Sequence, residues 1–260
     1  MVARALPSLK SLRLLLLAGA AAAMLGACAT NTAPSLKQPD FSHATPQQKQ
    51  QAIASLGARY KSDPKDKATI LYYAAALRSA GQAEQAVSVI EAGLAIYPND
   101  VDLKVAYAKA LSAAGRFAQA LNVIQDAIDP AMPDWNALLV EGAILDQSGE
   151  NEQARTVYTQ ALTIAPMQAA IEANIGLSYA MSNDLTQAEL HMRKALTMIG
   201  VTSQMRQNLA LVVGLQGRFD EARVLLSVDL PPDEVETNMA YIRSLLTQQD
   251  RWNQIKGSKQ

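Results

Sequence analysis

Between residues 45 and 246 the apolar positions recur at helical spacing, and Gly, Asn or Pro interrupts them at regular intervals. Ala52, Ile53, Leu56 and Tyr60 share one face, predicting a helix from Thr45-Pro46 to about Lys61, with Thr45 as N-cap and Pro46 at N1. Beyond it the interruptions become periodic. Gly81, Gly115, Gly149, Asn183 and Gly217 stand 34 residues apart, and so do Ala86, Ala120, Ala154, Ala188 and Ala222. A third series is Ala74, Ala108, Gly142, Gly176 and Ala210. A fourth, Gly93, Ala127, Ala161 and Ala195, fails only at Asp229. Pro98, Pro133 and Pro166 close three of the units. Larger apolar residues fill the rest of the seam: Leu77, Ile90, Leu111, Ile124, Leu145, Tyr158, Tyr179, Met192, Val213 and Leu226.

Each series has a physical reason. A small residue is needed where two helix backbones cross closely. A Gly or Asn that accepts the left-handed conformation ends a first helix. A Pro stops the second. The expected units are 67–100, 101–134, 135–168, 169–202 and a shortened 203–230. Small residues at positions 8, 20 and 27 of a 34-residue unit, with Pro near 32, resemble the tetratricopeptide repeat. The expected fold is therefore all-α: a solenoid of about five helix-turn-helix repeats over residues 45–248, with capping helices at both ends. The N-terminal cap is the helix at 45–61. The C-terminal cap is a helix at 233–246, after the Pro231-Pro232 break, using Val235, Met239, Ile242 and Leu246. The tail 249–260 has no periodicity and is expected to fray.

The first residues follow a different logic. Arg4, Lys10 and Arg13 precede an apolar run from Leu14 to Ala27, too short for the roughly 20 residues of a spanning helix. This predicts a signal peptide at 1–27. The single cysteine of the chain ends it, in Leu25-Gly26-Ala27-Cys28, which resembles a bacterial lipobox. The resemblance implies lipidation of Cys28, and Ala29 rather than Asp after it implies the outer membrane. Acyl chains would contribute about 0.8 kcal/mol per buried methylene. Residues 28–44, rich in Thr, Asn, Pro and Ser, are expected to form a flexible tether. Loss of 1–27 takes three basic residues and moves the net charge from −1 to near −4.

Composition then narrows the chemistry. One Cys excludes an intramolecular disulfide, and two histidines, His43 and His191, are too few for a His-rich metal centre. No cofactor or metal is expected, and no basic excess points to nucleic acid. Gly176-Leu177-Ser178-Tyr179-Ala180 echoes a nucleophile elbow but lacks its final Gly and falls inside a helix. An enzyme is not expected. Met181, Met192, Met198 and Met205 are expected to fill core gaps. Glu141 occupies an otherwise apolar position, so it should be partly buried and either pair with Arg155 or tune a partner site.

A binding surface remains. In a tetratricopeptide superhelix, first-helix positions 2, 5, 6, 9 and 12 line the concave groove. The candidate peptide-contacting residues are Tyr72, Lys109, Leu139, Val140, Asn174, Leu177, Asn208 and Leu211. At positions 5, 6 and 9 only Lys109 is basic, so the carboxylate clamp of chaperone-binding members is not expected. Asn174 and Asn208, at consecutive position-6 sites, could hold an extended peptide backbone because an amide both donates and accepts.

Repeats four and five carry a narrower resemblance. The runs 174–180 and 184–189, then 206–222 (Arg-Gln-Asn-Leu-Ala-Leu-Val-Val-Gly-Leu-Gln-Gly-Arg-Phe-Asp-Glu-Ala) and the closing Asp229-Leu230-Pro231-Pro232, resemble the TadD type. These are tetratricopeptide lipoproteins of the tight-adherence (Flp) pilus assembly system. The resemblance implies a pilotin-like role with the pilus secretin or another pilus component as partner. A general envelope scaffold, serving outer-membrane protein assembly or peptidoglycan enzymes, is the alternative.

Overall fold

The computed structural model describes residues 41 and 44–257, with side chains to Thr247. Cys28, His43, the expected signal peptide and most of the expected tether lie outside the described residues. The described residues belong to one compact unit, Gln38–Gln260. Twelve helices and no strand are found among them. They are α1 (Pro46–Ser62), α2 (Lys67–Ser79), α3 (Ala83–Ile96), α4 (Val101–Ala113), α5 (Phe117–Ala127) and α6 (Trp135–Gln147). There follow α7 (Asn151–Ile164), α8 (Ala169–Met181), α9 (Leu185–Ala195), α10 (Ser203–Leu215), α11 (Phe219–Leu226) and α12 (Pro232–Gly257).

The helices pair as α2/α3, α4/α5, α6/α7, α8/α9 and α10/α11, with α1 packed on α2 and α12 on α10 and α11. The turn inside every pair is one motif. Gly81, Gly115, Gly149 and Gly217 have φ between 76° and 89°, and Asn183 has φ 62°. The next N–H bonds back to the helix three residues from its end: Gln82 to Leu77, Arg116 to Leu111, Glu150 to Leu145, Asp184 to Tyr179 and Arg218 to Val213. This Schellman closure satisfies a carbonyl the helix end would otherwise leave bare.

First helices begin on a second regular device. Asp66, Asp100 and Asp134, again 34 apart, accept hydrogen bonds from the N–H groups of Thr69, Leu103 and Ala137. Each such cap contributes about 1 kcal/mol. Gln168 breaks this series and makes no side-chain cap. Backbone compensates there: Ala169 N–H donates to Ile199 O at 2.9 Å, and Ile199 N–H to Met167 O at 2.9 Å. The loop after α9 is thereby tied to the start of α8, turning at Gly200.

Where the helices of a pair cross, position 8 faces position 24. The facing pairs read Ala74/Ile90, Ala108/Ile124, Gly142/Tyr158, Gly176/Met192 and Ala210/Leu226, all ten residues buried. The larger the second residue, the smaller the first. A Cβ at Gly142 would lie 2.3 Å from Tyr158 Cε1, and one at Gly176 2.7 Å from Met192 Cγ. The Tyr158 hydroxyl is itself fixed, donating to buried Asp146 at 2.9 Å, which also accepts from Asn151.

Three expectations change. The C-terminal helix runs to Gly257 rather than ending at Leu246, and residues 249–257 are helical, not frayed. No Gly or Pro intervenes before Gly257, and Gln, Arg and Lys propagate a helix already anchored by Val235, Met239 and Ile242. Met181 is 56% exposed instead of filling the core, because it ends α8. Tyr179 packs on the cores of both neighbouring units but is only half-buried, with the Arg155 guanidinium 4.5 Å from its ring centroid and His191 stacked at 5.3 Å.

The crossing rule is testable. Gly142→Ala should destabilise the fold by about 2 kcal/mol through overpacking. Combining it with Tyr158→Ile, which installs the Ala/Ile pair of the first two repeats, should recover at least about 1 kcal/mol relative to additivity. Urea denaturation of the four proteins measures this, and additive losses would refute it.

Candidate functional site: the first-helix groove

First helices stack on first helices: α2 on α4, α4 on α6, α6 on α8 and α8 on α10. Second helices make no comparable contact with one another. The first-helix side is therefore the tighter, concave side. Successive first-helix side chains converge there, and a pocket of about 310 Å³ opens among α2, α4, α6 and α8. Of the residues expected to contact peptide, Lys109, Leu139, Val140 and Asn174 line it. Tyr72, Leu177, Asn208 and Leu211 do not. Tyr72 packs on the core of the first repeats, and Leu177 and Leu211 pack on that of the last.

The pocket has an apolar wall and a polar rim. Leu139, Val140 and Ile144 of α6 form the wall. Around it stand Arg78 from α2, Lys109 from α4, Asn136 and Gln147 from α6, and Asn174 from α8. The amides are oriented. Gln147 Oε1 accepts from the Ser112 hydroxyl at 2.9 Å, leaving its NH2 to donate outward. Asn174 Nδ2 donates to Ala170 O at 2.8 Å, leaving its carbonyl oxygen as an acceptor. Asn208 does the opposite, accepting from Gln204 Nε2 at 3.0 Å. Asn174 lines the pocket and Asn208 lies outside it, each amide making one hydrogen bond within its own helix and keeping further donor and acceptor capacity.

No lining residue is acidic. Among the described residues neither Arg78 nor Lys109 makes a hydrogen bond or an ion pair. By surface area Arg78 is exposed and Lys109 half-buried, yet protein surrounds both on most sides, as expected on the wall of a concavity. This crowding lowers the Arg78 pKa. It lowers that of Lys109 to about 8, with Arg78 adding repulsion and Asp134 opposing it. Arg78 sits at position 12 of its repeat, so a reading limited to positions 5, 6 and 9 misses it. Asn136, at position 2, is missed for the same reason.

In two other polar clusters the charged groups face partners within the fold. A depression of about 410 Å³ beside the α6–α7 turn is lined by Glu150, Asn151, Glu152 and Arg155. Arg155 already donates to Ser182 Oγ at 2.9 Å and Ser178 Oγ at 3.2 Å. It does not pair with Glu141, which accepts from Gln125 Nε2 at 2.9 Å instead. Tyr179 and the two serines lie closer to the Arg155 side chain. Ser178 is fully buried, and its hydroxyl donates to Asn151 O, so it has a structural role. The other cluster centres on Glu172, fully buried on α8. His191 Nδ1 lies 2.7 Å from one carboxylate oxygen. Lys194 Nζ lies 2.5 Å from the other, as an ion pair without hydrogen-bond alignment.

Among the described residues no group of side chains could hold a metal ion, and no helix is long and apolar enough to cross a membrane. Comparison with known proteins agrees with the geometry. Tetratricopeptide repeat family models match residues 77–139 and 136–166. No curated protein sequence matches the chain significantly. Similar solved structures include a tetratricopeptide repeat protein from Parabacteroides merdae, 12% identical, with a TM-score of 0.64 over 76% of this chain and 78% of that one. PilW, a widely conserved type IV pilus biogenesis factor, is 21% identical, with a TM-score of 0.58 over 74% of this chain and 90% of its own. The human IFIT1 dimer with m7Gppp-AAAA is 16% identical, with a TM-score of 0.59 over 75% of this chain and 49% of that one. The fold is a tetratricopeptide-repeat α-solenoid, a class that typically scaffolds protein–protein interaction rather than catalysis.

The crowding of Lys109 has a measurable cost. A lysine with a lowered folded-state pKa burdens the fold most below about 8, and stability rises as pH climbs from there towards 10.5. Lys109→Met should therefore raise stability at pH 7, by about 1 kcal/mol after discounting for partial exposure, and flatten the alkaline rise. Thermal unfolding between pH 6 and 10 measures both; a less stable variant would show that Lys109 is compensated.

Proposed function

We propose that this chain is a non-enzymatic lipoprotein, anchored through Cys28 at the periplasmic face of the outer membrane, that binds a component of the tight-adherence (Flp) pilus. Its role there is pilotin-like, serving localisation or assembly of the secretin. The observation that carries the reading is the resemblance of residues 174–232 to the TadD type, on a solenoid with an open, ligand-sized groove. The fold is the one PilW, a type IV pilus biogenesis factor, also has. Leu25-Gly26-Ala27-Cys28 supports the anchor. The first-helix groove, with its apolar wall and oriented amides, is the proposed partner-binding face.

Cys28→Ser tests the anchor and the role together. The variant should no longer incorporate labelled palmitate, should leave the outer-membrane fraction and should abolish surface pili. Normal piliation by an unlabelled variant would refute the need for anchoring. Affinity capture with the wild-type chain should recover the secretin. Recovery of barrel-assembly or cell-wall proteins without it would instead favour a general envelope scaffold.

A further inference from the structure

We propose that the edge of the solenoid formed by the loops 164–168 and 196–202 rests on a phospholipid surface, the one that carries the anchor, through the side chains of Ile164, Met167 and Ile199. The inference rests on the reading of Cys28 as lipidated. It goes beyond that reading by naming the face of the folded unit that turns to the membrane.

The two edges of the solenoid differ. The Gly and Asn turns inside the helix pairs lie along one edge, and the loops between pairs lie along the other. Among the described residues most exposed large apolar side chains fall at the second edge, Met132, Ile164, Met167, Ile199 and Val228 among them. Ile164 is 44%, Met167 51% and Ile199 65% exposed. At these two loops alone the edge is also free of charge. No residue from Thr156 to Ile171, or from Ala195 to Met205, is charged. The loops on either side carry Asp129 and Asp134, or Asp229 and Asp233.

The break in the capping series fits the same use. Asp66, Asp100 and Asp134 place a carboxylate at this edge at the start of the first three first helices. The next two start on Gln168, which makes no side-chain cap, and on Thr202, which caps with a hydroxyl. A carboxylate at that place would have to stay in water, whereas a backbone bridge does not. Ile199 N–H donates to Met167 O and Ala169 N–H to Ile199 O, so these amides are satisfied within the protein. Irregular backbone can approach the acyl boundary only on that condition, since no water there replaces a missing partner.

Two arguments favour lipid over another occupant. Three partly exposed side chains fall far short of the roughly 800 Å² per partner that a stable protein interface buries, so they hold neither a second copy nor a folded partner by themselves. A surface to which the chain is already joined needs no such area, because the joint keeps its local concentration high. The joint is also long enough. Residues 29–44 reach at most about 55 Å, against about 25 Å for the length of α1, Pro46–Ser62. The segment can therefore span the solenoid from the turn edge, where α1 begins, to the loop edge. The first helices then stand upright on the membrane, and the groove opens along it.

The test uses the full chain, purified with its lipid and reconstituted into vesicles of three parts phosphatidylethanolamine to one of phosphatidylglycerol. Some of the acyl chains carry a nitroxide quencher. Lipidation blocks the Cys28 thiol, the only one in the chain, so Ile199→Cys or Met181→Cys takes a single fluorophore. Met181, also exposed, ends α8 at the opposite edge. The nitroxide should quench the label at 199 about threefold more than the label at 181, and aqueous iodide should do the reverse. Adding Ile164→Ser and Met167→Ser should cut the nitroxide quenching at 199 by about half, with melting curves checking that each variant is folded. Equal quenching at the two positions, with the wild-type thiol blocked, would overturn the docking edge and leave the anchor standing. A wild-type chain that takes the fluorophore at Cys28 would overturn the anchor and this proposal with it. Shielding of the 199 label from iodide in the unanchored Cys28→Ser chain without lipid, lost on dilution, would overturn lipid in favour of a second copy.

Discussion

The whole solenoid hangs on how closely two helices approach at one crossing, repeated five times. Position 8 of the first helix meets position 24 of the second, and their combined size sets the distance between the backbones. Ala accepts Ile or Leu, whereas Tyr158 and Met192 each require Gly. Interiors pack at crystal-like density, so one misplaced Cβ at such a point cannot be absorbed locally. Because a small residue faces a large one in every unit, each helix pair can close and stack on the next. Stacking can then continue until α1 and α12 cover the ends.

The groove is a consequence of that stacking. First helices touch one another and second helices do not, so the chain curves with its first helices inward. Side chains three residues apart on one first helix, and their counterparts on the next, are thereby brought around a common space. Arg78 and Lys109 meet in this way although 31 residues separate them. Crowding two cations on one wall without a hydrogen bond or ion pair is a cost that the fold itself carries.

The irregular places show how much slack the architecture holds. Asp229 replaces the small residue at the end of the fifth unit, is exposed, and takes both guanidinium arms of Arg206. Gln168 replaces the aspartate cap, and a short backbone bridge to Ile199 takes over its task. In both cases a hydrogen-bonding group was supplied from elsewhere, since an unpaired polar group at a helix end carries its own penalty. The fully buried Glu172, held by His191 and Lys194, is a third local solution, with all its partners on the helix packed against it.

Much of the architecture was legible in the residues themselves. The Gly/Asn series marked the turns, because only a few residues adopt a positive φ without strain, and the small-residue series marked the crossings, because only small residues fit there. These are local requirements, so they leave a local signature. The capping series Asp66, Asp100 and Asp134 is an equally local requirement and carries the same 34-residue period. The pocket was legible in part: Lys109, Leu139, Val140 and Asn174, named by position in the repeat, line it, and Tyr72, Leu177, Asn208 and Leu211 lie outside it. What the sequence determined alone was the repeat: which residues turn, cross and cap. What only the tertiary structure decided was the company each groove residue keeps. It joined Arg78 and Asn136 to Lys109 and turned Arg155 from Glu141 to the serines. Such encounters depend on the curvature summed over several repeats, and no single spacing records that sum.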